Sequence, residues 1–292
     1  MSRVSVPHLL GGALVGVIAV GLARSIARAR RVPLRSEWTR IPSVRGSRSL
    51  AVHARVSDDA ETSLPPIVMV HGYGIGSSYF VPLADRLLHD AHVYAPDLPG
   101  HGPSDHDVCP LGTRESAAAL AAWLDANGLR RAVLVGHSAG SQVVAEVAAR
   151  RPDLAAGVVL VAPASDPAAR SVVRQLERAI RGVPFERPDL ALWVALDFVR
   201  SGGGVLATEL RALISHRLED VLPHVRVPVR VVRGRWDQLV PQRWAETVAR
   251  VANAPPPTVV RRWSHAVHYE DPDAVAAIVL ELAGAVVAND PS

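Results

Sequence analysis

Lysine is missing from the 292 residues, and all 32 basic side chains are arginine. A net charge of +4 spread over arginine alone reads as a compositional bias. A nucleic-acid surface needs its basic residues gathered into a patch. Aromatic residues make up only 4% of the chain, too few for the stacking platforms that bind bases. There is a single cysteine, Cys109, so no internal disulfide can form, which suits a reducing compartment without requiring one. No phosphate-cradling glycine loop occurs. His101 and His106 have no supporting ligand set, so neither a metal nor a nucleotide cofactor is expected.

What is abundant is apolar: 49% of residues are hydrophobic, enough for one large α/β domain with an insertion or for two small domains. Residues 4–23 contain no Asp, Glu, Lys or Arg, and from Leu9 to Ala23 the stretch is wholly apolar or glycine. About 20 residues span a hydrocarbon core as helix. The following flank carries Arg24, Arg28, Arg30, Arg31 and Arg35, which by the positive-inside rule stays cytoplasmic. Residues 1–35 therefore read as a single-pass membrane anchor with a cytoplasmic body behind it. A cleaved signal peptide, with a secreted product, and a glycine-bearing helix packed on the body are the rival readings; for the former the basic charge lies on the wrong side.

Beyond the anchor, short apolar runs alternate with helical patterns. Residues 38–44 and 49–56 read as two strands about a tight turn, and Ile67-Val68-Met69-Val70 as a strand buried on both faces. That strand runs into His71-Gly72-Tyr73-Gly74, which sets backbone amides at a carboxyl strand end, where open α/β sheets bind ligands. Residues 77–89 read as a helix and 92–95 as a strand. Asp97-Leu98-Pro99-Gly100-His101-Gly102-Pro103-Ser104-Asp105 follows, dense in turn formers, with Asp97 placed to pin the loop. A helix over 112–127 leads to the apolar run Ala132-Val133-Leu134-Val135 and then Gly136-His137-Ser138-Ala139-Gly140. Val143, Val144, Val147 and Ala148 lie on one helical face after it. Ser138 thus occupies a sharp strand-to-helix turn, with the Ala139 amide aimed where an oxyanion forms.

Together these three stretches, in this order and at strand ends, resemble the α/β-hydrolase fold family over roughly residues 38–288. The resemblance implies a mostly parallel, eight-stranded sheet with helices on both faces and a helical cap inserted after the sixth strand. It implies a core of residues 36–164 and 224–292 and a cap of residues 165–223. It also assigns the second oxyanion donor to the Tyr73 amide. Many relatives carry a second glycine where this chain has Ser141. A nucleophilic Asp in place of Ser138 would point to epoxide hydrolases or dehalogenases; the serine points away from them.

After the elbow, residues 157–161 read as a strand. The strand–helix alternation then stops until residues 229–232. The intervening stretch holds three helical patterns and a Ser201-Gly202-Gly203-Gly204 run, a linker or a hinge for a lid. Asp237 follows the strand at 229–232, and His265 follows the last strand at 258–263. Ser138, Asp237, His265 is the chain order for this fold. The chemistry asks for these types: a serine hydroxyl is a weak nucleophile until an imidazole takes its proton, and a carboxylate fixes that imidazole's tautomer. Asp166 is the alternative acid and His268 the alternative base. The expected activity is hydrolysis of an ester-like bond of a small or lipid-like acyl substrate, with no cofactor and no nucleic acid. Carbon–carbon bond hydrolysis, perhydrolysis and acyl transfer use the same triad, and a non-catalytic scaffold is the remaining alternative.

Overall fold

A computed structural model describes residues 32–58, 61–107 and 109–289. The anchor expected over residues 1–35 therefore lies almost wholly outside the described residues.

Eight strands form one sheet: β1 (Leu34–Pro42), β2 (Ser49–Ser57), β3 (Ile67–Val70), β4 (Val93–Pro96), β5 (Ala132–His137), β6 (Ala155–Val161), β7 (Val229–Gly234) and β8 (Thr258–Val260). Their spatial order is β1-β2-β4-β3-β5-β6-β7-β8. The β1–β2 and β2–β4 pairs are antiparallel and the rest are parallel. The helices are α1 (Val81–Leu87), α2 (Thr113–Ala126), α3 (Ala139–Arg150), α4 (Val172–Gly182), α5 (Pro188–Ser215), α6 (Leu218–Val221), α7 (Gln242–Val251), α8 (Val267–Glu270) and α9 (Pro272–Ala288).

Alternation along the central strands divides the core. In β5, Ala132 and Leu134 face one layer with Leu120 of α2, Val144 of α3 and Val248 of α7. Val133 and Val135 face the other, with Leu83 of α1 and Val279 and Leu282 of α9. A strand covered on both sides has no polar face to show, which is why β5 reads as one apolar run. Each fully buried Val or Leu here contributes ~1.5–3 kcal/mol.

β3 and β5 are neighbours, with Val70 opposite Gly136. The chain leaves β3 toward β4 on one side and leaves β5 toward β6 on the other. A crevice opens at the carboxyl ends where connections diverge in this way. Both glycine-bearing loops lie there.

Some boundaries differ from the sequence reading. Residues 77–80 form a 3-10 turn, and α1 proper starts at Val81, where Pro82 suits a first helical turn. The last strand ends at Val260. Between β6 and β7 the chain is helical, and α5 runs through the triple glycine with a break at Gly202 (φ 77°, ψ 156°). The stretch Asp189–Ser215 is the one helix among the described residues long and apolar enough to cross a membrane. The break divides it, and its side chains bond to the body.

Candidate active site

The elbow is built by exclusion. β5 ends at His137 and α3 begins at Ala139, so Ser138 makes the turn alone, at φ 53° and ψ −116°. That conformation costs a residue with a side chain ~1–3 kcal/mol. A Cβ on Gly136 would stand 2.5 Å from the Gly140 carbonyl oxygen, and one on Gly140 would stand 2.3 Å from that of Val70. Only glycine lets the strand, the turn and the neighbouring β3 close together. Ser138 N–H donates to the Val161 carbonyl at 2.9 Å. Ser141, at the position of the absent second glycine, donates its hydroxyl to the Gly136 carbonyl at 2.7 Å and braces helix to strand.

Two further loops converge on Ser138. Its Oγ lies 3.0 Å from His265 Nε2, and His265 Nδ1 lies 3.0 Å from Asp237 Oδ2. The other Asp237 oxygen accepts from the Leu239 and Val240 amides, each at 2.9 Å. Buried Arg233 holds that loop from beneath by donating to the carbonyls of Val240 at 2.9 Å and Asp237 at 3.0 Å. Gly234 allows the acid loop to lie on the histidine loop, since a Cβ there would meet the Ser264 carbonyl oxygen at 2.1 Å. Burial disfavours a charged His265, but the Asp237 carboxylate outweighs it and raises the imidazole above its ordinary value.

The third wall is the loop after β3. Gly72 lies over the elbow, where a Cβ would come 3.2 Å from the Ser138 Cβ. His71 spends both ring nitrogens on the backbone: Nε2 accepts from Leu98 N–H, and Nδ1 donates to the Gly72 carbonyl, each at 3.0 Å. Burial, and then neighbouring His101, push its pKa down to about 4, so it is a neutral strut. Asp97 pins the adjoining loop, accepting from Ser77 N–H at 2.5 Å and from His53 Nδ1 at 2.7 Å. The Tyr73 amide has no hydrogen-bond partner among the described residues. The Ala139 amide, at the start of α3, has none either.

A model of the alpha/beta hydrolase family matches residues 67–278, well over half of the sequence. The chain belongs to the α/β-hydrolase family. This hydrolase is 25% identical over 263 residues to a pimeloyl-acyl-carrier-protein methyl ester esterase of Vibrio atlanticus, covering 75% of this chain and 94% of that protein. Among solved structures it resembles a thermophilic esterase from Thermogutta terrifontis, with a TM-score of 0.72 and 20% identity over 86% of this chain and 99% of the other. A bacterial membrane phospholipase A superposes with a TM-score of 0.71 and 22% identity, covering 97% of this chain and 96% of the other. At such identities the two structures speak for the fold alone.

The hydrolase keeps the alternative acid and base apart from Ser138. Asp166 is buried and accepts from Arg178 at 2.7 Å and from Arg243 at 2.8 Å, so its charge is spent on tying α4 and α7 together. His268 is fully buried against the rings of Tyr79, Phe80 and His137.

Several residues around the site escape a reading of the sequence. Gly72 N–H donates to Tyr79 Oη at 2.9 Å, Tyr79 donates to His137 Nδ1 at 2.8 Å, and His137 Nε2 donates to the His265 carbonyl at 3.1 Å. This relay ties the loop after β3 to the histidine loop beneath Ser138. Above it, α5 grips the same loop. Gly74 N–H donates to Glu209 at 2.9 Å, Gly76 N–H to Asp197 at 3.1 Å, and Tyr73 Oη to the Leu206 carbonyl at 3.1 Å. Glu186, before α5, accepts from His265 N–H at 3.0 Å. The only local signal is acidic residues inside an apolar helix pattern.

Proposed function

We propose that the hydrolase cleaves carboxylic esters of small or lipid-like acyl groups through an acyl-enzyme on Ser138. The observation that carries this reading is the unbroken chain from Ser138 Oγ through His265 to Asp237, at 3.0 Å per link. His265 Nε2 takes the hydroxyl proton as Oγ attacks the ester carbonyl. The tetrahedral oxyanion is held by the Tyr73 and Ala139 amides. His265 then passes its proton to the departing alkoxide, and water enters by the same route to release the acid. Asp237 keeps Nδ1 protonated and steadies the imidazolium between the two transfers. The curated relative, itself an esterase, supports the bond class.

A fluorophosphonate probe tests the nucleophile. Wild type should label, and Ser138→Ala should not; labelling that survives the substitution overturns the reading.

We also infer that residues 4–23 anchor the hydrolase with its body cytoplasmic, and that residues 165–223 form a cap over the site. The uncharged length and the basic flank support the anchor; the grip of α5 on the loop after β3 supports the cap. Carbonate extraction should leave the full chain in the membrane pellet, and its release would remove the anchor.

A further inference from the structure

Helix α4 is amphipathic but mounted inside out. Its polar face packs on the body: Arg178 donates to the Leu239 carbonyl at 3.1 Å and to Asp166 at 2.7 Å, and Gln175 to the Ala169 carbonyl at 2.9 Å. At ~100° per residue, Val172, Val173, Leu176, Ile180 and Val183 share one arc, and each is more than half exposed. Among the described residues eleven large apolar side chains are exposed, and eight of them belong to the insertion between β6 and β7. Scattered apolar residues need no explanation, whereas a concentration of them marks an interaction surface.

The patch leads to the site. Phe185, just after α4, stacks on Trp236 with centroids 5.8 Å apart and planes 9° apart. Trp236 precedes Asp237, and Glu186 bonds the His265 amide. The apolar face and the reacting serine therefore share one end of the molecule.

We propose that this face docks on the surface of an anionic lipid bilayer and that the ester substrate is drawn from that bilayer. The second half rests on the esterase reading; the first does not. Charge selects the occupant. Of the charges in residues 172–187, Arg174, Arg181 and Arg187 reach solvent against Glu177, since Arg178 is spent on Asp166 and Glu186 is turned inward to His265. Arg235 adds a further cation over the Trp236 ring, 5.6 Å from its centroid. A second copy meeting this face by twofold symmetry would set arginine against arginine. The chain's own segment ahead of residue 32 ends in Arg24, Arg28, Arg30 and Arg31 and is repelled by the same rim. Anionic headgroups are attracted, and a convex helix face sinks ~5–10 Å into the headgroup–acyl boundary. Trp236 supplies the ring type favoured at that depth.

The test uses the full chain with exposed Cys109 replaced by serine and a single environment-sensitive fluorophore on Ile180→Cys. On vesicles of phosphatidylcholine and phosphatidylglycerol, brominated acyl chains should quench this label and leave a label on Glu281→Cys of α9 unquenched. An unquenched Ile180 label on vesicle-bound protein overturns the proposal. So does a label already buried without vesicles: in a concentration-dependent way if a second copy covers it, and in a concentration-independent way if residues 1–31 do. As a second arm, the pair Val173→Glu and Ile180→Glu should lower turnover of a long-chain phospholipid in the vesicle about tenfold. It should leave hydrolysis of dissolved p-nitrophenyl butyrate unchanged, and equal losses on both esters overturn the docking. If wild type hydrolyses neither ester, the esterase reading fails while the quenching result stands.

Discussion

His265 and His268 are three residues apart and live in opposite surroundings. His265 has a carboxylate on one nitrogen and a serine on the other. Among the described residues His268 has no hydrogen-bond partner for either nitrogen, and burial followed by the neighbouring His265 holds its pKa well below the ordinary value. It packs as a ring, not as a base. Replacing a buried, unpaired polar group with an apolar one of similar shape is near neutral or stabilising. His268→Phe is therefore expected to keep kcat/KM within about threefold and to hold or raise Tm. His265→Ala is expected to lose ~10⁴-fold or more in kcat. Steady-state kinetics on one ester, with melting curves for both variants, decide the matter; a folded but inactive His268→Phe would move the base. Asp237→Asn tests the third member. It should cost ~10⁴-fold in kcat, and because the carboxylate is what raises His265, the acid limb of the residual pH–rate profile should shift to lower pH. An unmoved limb would show that the limb reports another group.

Among the elements, the β5–turn–α3 unit was legible because its causes are local: an apolar strand, two glycines with no room for a Cβ, and a helix face. The loop after β3 was legible only in part. Its His-Gly start reads from the sequence, but its supports lie far along the chain. Gly74 bonds a residue 135 positions away, and Gly76 one 121 positions away. No spacing rule reaches across such gaps, and Asp197 and Glu209 sit on a helix whose pattern reads as apolar packing. Gly202 is the reverse case: the triple glycine marks the break, but not that helix resumes on both sides of it. Glu209 is the sharpest test of this element. It accepts from Gly74 with one oxygen and lies 3.0 Å from His101 Nε2 with the other. Full removal of an oxyanion donor costs ~10²–10³-fold, so a loosened loop should cost less. Glu209→Ala should lower kcat about tenfold with KM nearly constant, and Glu209→Gln, which keeps the acceptor for Gly74, should recover most of it. A change confined to KM would place Glu209 in substrate binding instead.

For the whole molecule, the titrating groups around the site pull stability in opposite directions with pH. His71 titrates at about 4 in the folded chain against an ordinary 6.5, and the pKa values of His137 and His268 are also held well below that value by burial first. Between those values the unfolded chain binds more protons, so stability falls as pH drops from 6.5 toward 4. Glu270 works the other way. Burial, and then the Glu186 carboxylate, push it up to about 7 from 4.5. Here the folded chain binds more protons, so stability falls as pH rises from 4.5 through 7. His265, raised by Asp237, adds to that alkaline loss: its contribution is complete below 6.5 and disappears above its folded value. In the proposed mechanism His265 must be neutral to take the serine proton, so activity grows in the same direction of pH in which the Glu270 and His265 contributions to stability are lost. The hydrolase should therefore be most stable near the acid edge of its activity range. Glu270→Gln isolates one cause, because the amide still offers an oxygen to Ser264 N–H, which Glu270 accepts at 3.0 Å, while losing the repulsion. Its Tm should match wild type near pH 4.5 and exceed it by a few degrees above pH 7. Two melting curves that stay parallel across this range would show that Glu270 does not set the alkaline limb.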